Sequence, residues 1–69
     1  MKTLYDVQQL LKQFGIFVYV GNRLWDIELM MIELRGLHDG NVIERKTFIN
    51  AMLVLKEEHY QETLYQEEK

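Results

Sequence analysis

Residues 15 to 26 read GIFVYVGNRLWD, and the fold turns on how this stretch is taken. Five consecutive strand-type residues, Ile16 to Val20, stand between Gly15 and Gly21, and an arginine and the only tryptophan follow at once. Alternation along an extended chain puts Ile16, Val18 and Val20 on one side and Phe17 and Tyr19 on the other. A lone strand is unstable in water, and no second convincing strand exists here to pair with it. The stretch is therefore expected to lie as an extended arm across helices, or to pair with another molecule.

Working outward, the rest of the chain has helical periodicity. On the N-terminal side, Thr3 and Asp6 have capping-box spacing, with aspartate in place of the usual glutamate. Leu4, Val7, Leu10, Leu11 and Phe14 then fall on one face. Gly15 stands where a left-handed residue closes a helix, so the first helix is expected over residues 4–14. On the C-terminal side, Asn22 is a suitable N-cap for a helix running to about Asp39, before the HDGN turn. That helix has two apolar stripes. Leu24, Ile27, Met30, Met31, Leu34 and Leu37 make a broad one, and Trp25, Leu29 and Ile32 a second, with Glu28 and Arg35 between them on one side and Asp26 and Glu33 on the other. The broad face can hold the other helices. The second can be covered by the arm, by a symmetry mate or by a ligand. A third helix is expected from about Glu44 to at least Glu58, with Phe48, Ile49, Ala51, Met52 and Leu55 inward and Leu53 and Tyr60 widening that face.

The expected class is all-α: a compact three-helix bundle with an extended arm between the first and second helices. Residues 1–60 form the expected domain, and residues 61–69 an acidic, frayed C-terminal tail. A chain of 69 residues buries only roughly 60% of the surface its unfolded form exposes, so its core is thin. With no cysteine, it has neither disulfides nor a thiolate metal cage, which fits a reducing compartment and makes oligomerisation a live route to stability. The longest apolar run is far short of a membrane span, and no basic segment leads into an apolar one. The expectation is a cytoplasmic protein with no membrane partner.

The net charge of −3 is unevenly distributed. Residues 1–56 carry seven basic and six acidic side chains, whereas residues 57–69 carry five glutamates and Lys69. The acidity belongs to the end of the chain, and any affinity for phosphates has to come from a local patch.

Catalytic and metal chemistry find little support. His38 and His59 fall near the C-terminal ends of their helices. In antiparallel helices they stand roughly 22 Å apart, which reads as two half-buried or capping histidines rather than one metal site. The chain has no serine or cysteine nucleophile, and neither Thr47 nor Thr63 has a base placed beside it by spacing. None of the glycines forms a phosphate-cradling loop. Glu57 and Glu58 point to different azimuths of a helix. No enzyme activity and no cofactor are expected. RKTFIN, residues 45–50, has the polar start of a recognition helix, but that is equally the solvated face of any amphipathic helix.

The opening stretch is the better candidate site. Aromatic rings that stack on bases, with cations for the backbone, are what single-stranded nucleic acid requires. Phe17, Tyr19, Arg23 and Trp25 supply them within nine residues, with Lys12, Arg45 and Lys46 as further cations. The competing reading treats these rings as a seal over the second helix.

YDVQQLLKQFG, residues 5–15, followed by VYVGNR, residues 18–23, resembles the YqgQ-like family of small bacterial proteins, with IERKTF and AMLVLKEE extending the similarity to about Tyr60. The resemblance implies a compact three-helix bundle and a role in binding single-stranded nucleic acid. It marks Tyr5, Gln8, Lys12, Tyr19 and Arg23 as the positions to test. A distinct possibility is a protein-interaction module or homodimer that buries Trp25, Leu29 and Ile32, or an arm that adds to a partner's sheet edge.

Overall fold

The computed structural model describes residues 1–67 and contains three helices: α1 over Leu4–Lys12, α2 over Arg23–Asp39 and α3 over Arg45–Glu67. No strand is present among the described residues, and the arm of residues 16–20 is extended but unpaired.

Each helix end has a local cause. Thr3 and Asp6 close a capping box: the Asp6 N–H donates to Thr3 Oγ1 at 3.3 Å, and the Thr3 N–H donates to Asp6 Oδ2 at 3.1 Å. The Lys2 N–H adds a third bond to the same carboxylate at 2.8 Å. These donors hold Asp6 below its ordinary carboxyl pKa, because they favour the ionised form. At the other end, α1 stops at Lys12, two residues before the expected boundary. The Gly15 N–H then donates to the Lys12 carbonyl and the Ile16 N–H to the Leu11 carbonyl. That paired closure needs a left-handed residue, which Gly15 supplies at φ +74°.

The α2 boundaries agree with expectation. Asn22 Oδ1 accepts the Trp25 N–H at 3.0 Å. After α2, the Asn41 N–H donates to the His38 carbonyl and the Val42 N–H to the Leu37 carbonyl. Asn41, at φ 59°, is the left-handed residue there rather than Gly40. Asparagine tolerates this conformation because its side chain can bond locally. Gly40 has a separate reason to be small: a Cβ would sit 3.3 Å from the Gly36 carbonyl oxygen.

The core is Leu4, Val7 and Leu11 of α1, Ile27, Met30 and Leu34 of α2, and Ala51, Met52 and Leu55 of α3. Ile16 and Val18 pack on it from the arm, so the side of the arm expected to face inward does so at those two positions. Val20 is half exposed. The α3 face is narrower than its periodicity suggests. Ile49, Leu53 and Tyr60 are exposed, while Val54 is drawn toward the core. The reason is geometric: α1 is only nine residues long and cannot cover the flanks of a 23-residue helix. The described part of α3 runs to Glu67, past the Tyr60 boundary expected for the domain. Residues 68 and 69 of the expected tail lie outside the described residues.

Candidate functional site

Two adjoining grooves lie where the arm crosses α1. One, of about 340 Å³, is bounded by Gln8, Leu11 and Lys12 of α1 and by Ile16 to Tyr19 of the arm. The second, of about 640 Å³ and more open, is bounded by Tyr5 and Gln8 of α1, Tyr19 and Gly21 of the arm, Arg23 and Asp26 of α2, and Glu58 of α3. Gln8 and Tyr19 belong to both. Six of the seven sequence-derived site residues therefore converge: Tyr5, Gln8, Lys12, Phe17, Tyr19 and Arg23. Trp25 is separate. It lines an apolar cleft with Val20, Glu28, Leu29 and Ile32 and touches neither groove.

The rings at the grooves do not seal the core. Tyr5, Phe17 and Tyr19 are 64%, 73% and 84% exposed, and Trp25 is 62% exposed on its own face. The arm turns Ile16 and Val18 inward, so alternation pushes Phe17 and Tyr19 into solvent.

What holds the arm is Asp26, which the sequence pattern assigns to a solvated flank of α2. Its side chain is instead buried, at 7% exposure, and Oδ1 accepts the Val20 N–H at 2.6 Å. The carboxylate lies in the first turn of α2, where the helix dipole favours negative charge. Gly21, left-handed at φ +84°, lets the chain turn between Val20 and the Asn22 cap. Periodicity holds no signal for this bond, because it joins a helix side chain to an arm backbone six residues earlier.

Electrostatically the grooves differ. Lys12 is exposed and makes no ion pair among the described residues, so the smaller groove carries one uncompensated cation. Arg23 is engaged. Its Nη2 lies 2.7 Å from Glu58 Oε2 and its Nε 3.5 Å from Glu62 Oε2. Sequence reasoning missed both glutamates because it assigned them to solvent and to the tail, and only the crossing of α2 and α3 brings them to Arg23. Arg45 and Lys46, at the start of α3, border neither groove.

The histidines are accounted for by packing. His38 stacks on Phe48 with ring centroids 4.3 Å apart, and His59 Nε2 is 3.9 Å from Glu28 Oε1. Among the described residues, no group of three His, Cys, Asp or Glu side chains is placed to hold a metal ion. No described helix is long and apolar enough to cross a membrane.

The fold and grooves define a small three-helix bundle with an aromatic-edged surface. The profile of the YqgQ-like family matches residues 1–61, and the chain belongs to that family. It is 48% identical over 58 residues to the uncharacterized protein YqgQ of Bacillus subtilis (strain 168), a match covering 84% of this chain and 82% of that protein.

Proposed function

We propose that the chain is a non-enzymatic binding module that holds a short stretch of single-stranded nucleic acid across the two grooves. The observation carrying this reading is the exposure of Tyr5, Phe17 and Tyr19 around concavities that share Gln8. Exposed rings give bases a stacking platform, worth about 1 to 3 kcal/mol per base. The amide of Gln8 makes no hydrogen bond among the described residues, so it is free to meet a base edge, which offers donors and acceptors. Lys12 is the phosphate contact. Arg23 reaches a phosphate only by exchanging Glu58 and Glu62 for it, so its contribution is small. With one or two cations engaged, log K should fall with log salt at a slope of about −1.

The test is fluorescence anisotropy of end-labelled oligo-dT and oligo-U at two salt concentrations. Tyr19→Ala should weaken binding about 5- to 150-fold, and Lys12→Ala should flatten the salt slope. Trp25→Ala should leave affinity unchanged, since that ring lies outside the grooves. Absence of saturable binding by the native chain, or binding indifferent to Tyr19→Ala, would refute this function.

A further inference from the structure

The outward face of α2 is a separate surface, and we infer that it pairs with the same face of a second copy, the two α2 helices running antiparallel. At 100° per residue, Trp25, Leu29, Ile32 and Gly36 fall within about 60° of one another, opposite the buried Ile27, Met30 and Leu34. Trp25, Leu29 and Ile32 are exposed, and Val20 of the arm extends the patch at one end.

Three features make the stripe complementary to itself. First, Trp25 and Gly36 are centred on the same point as Leu29 and Ile32, midway between residues 30 and 31. A twofold axis there sets each Leu29 against Ile32 of the second copy and each Trp25 over its Gly36. Such isologous contacts are the usual way identical chains associate.

Second, Gly36 lies inside a 17-residue helix, where glycine costs about 1 kcal/mol relative to alanine. Within the chain, nothing lies within 4 Å of where its Cβ would be, so internal packing does not require it. A bulky ring arriving from a second copy does.

Third, Glu28 and Arg35 share one flank of the stripe. A twofold axis across antiparallel helices brings like flanks together, so Arg35 of the second copy falls opposite position 26, about 3 Å along the axis from Glu28. Opposite charges therefore meet twice. On the other flank the two Glu33 side chains stand about 8 Å apart along the axis, a weaker like-charge approach, while the Asp26 carboxylate is turned inward to Val20. The Glu28 side chain is 48% exposed, and its ion-pair partner within the chain is His59 at 3.9 Å, leaving it available to an arginine.

Sedimentation equilibrium of the full chain from about 1 µM to 1 mM tests the pairing. The native chain should form a dimer, with Trp25 emission moving to the blue as the dimer fills. Ile32→Asp should give a monomer of unchanged helical circular dichroism. Glu28→Arg and Arg35→Glu should each weaken the dimer about tenfold, equivalent to about 1.4 kcal/mol, and the double exchange should restore it. A native chain that stays monomeric, a dimer indifferent to Ile32→Asp, or charge reversals that add instead of compensating would each overturn the inference. The grooves share no residue with this face, so failure here leaves the nucleic-acid reading standing, and the converse holds.

Discussion

The groove face and the outward face of α2 both expose large aromatic side chains, yet they differ in what lies between them. Around the grooves, Tyr5, Phe17 and Tyr19 alternate with Gln8, Lys12 and Arg23, and the surface is concave. On α2, Trp25, Leu29 and Ile32 follow one another with no polar group in the stripe, and charge is confined to its flanks. An aromatic ring set among hydrogen-bonding groups suits a ligand that must itself be hydrogen-bonded. A ring in a continuous apolar strip suits another apolar strip. Salt acts on the two differently, weakening the first association with a log–log slope of about −1 and the second only through the Glu28–Arg35 contacts on its flank.

Asp26 is the change that harms both faces at once, because the bond it accepts from Val20 ties the arm to α2. Asp26→Ala leaves a backbone N–H without its charged acceptor and should cost about 2 kcal/mol, read as a lower urea midpoint with an unchanged slope. It should also reduce oligonucleotide affinity and dimer stability together. A midpoint shift below about 0.5 kcal/mol would mean the arm is held by Ile16 and Val18 alone.

Gly21→Ala strains the same junction without removing the bond. At φ +84° a Cβ costs about 1 to 2 kcal/mol even with open space around it, and thermal melting should show that loss.

Gly36→Ala sharpens the contrast, since its two effects have opposite sign. The folded chain should gain about 0.5 to 1 kcal/mol, measured by urea at concentrations where it is monomeric. The dimer should weaken, because the added Cβ meets Trp25 of the second copy. A gain in both would argue against close packing at this point.

Arg23→Ala should have the smallest effect on stability, less than about 1 kcal/mol and fading with salt, because the Arg23 side chain is half exposed. Acid acts at the α1 end of the groove face through Asp6. The folded-state pKa of Asp6 lies below its ordinary 3.8, so its contribution is present above that value and is lost as pH falls through the folded pKa. Thr3→Asn, which keeps an N-cap oxygen, should preserve that acid transition, and Thr3→Ala should diminish it. Circular dichroism followed from neutral pH to about pH 2 reports the change.

Much of this architecture was legible in the string. The Thr3 cap, the Gly15 closure and the Asn22 cap each depend on groups within a few residues, and each agrees with the structure. The broad α2 stripe was legible because one helix face is buried along most of its length. Elsewhere periodicity misleads, and for a physical reason. Ile49, Leu53 and Tyr60 sit at core spacing on α3, but what covers a face depends on the length of its neighbour, and α1 is short.

The candidate site divides the same way. Aromatic and basic residue types were visible around residues 15–26, but a string does not say whether a ring is buried. Trp25 shows this: it is adjacent in sequence to the groove residues, yet it stands on another face. Asp26, Glu58 and Glu62 carry no local signal for what they hold.

By itself, then, the sequence determined the three helices, the Thr3 and Asn22 caps and the Gly15 closure, because these follow from contacts between near neighbours in the chain. Only the tertiary structure decided that Asp26 anchors the arm, that Glu58 and Glu62 occupy Arg23, and that Trp25 stands on a different surface from Tyr5, Phe17 and Tyr19. Those outcomes depend on how α2 crosses α3 and where the arm lies on α1, contacts between residues far apart in sequence that no local pattern encodes.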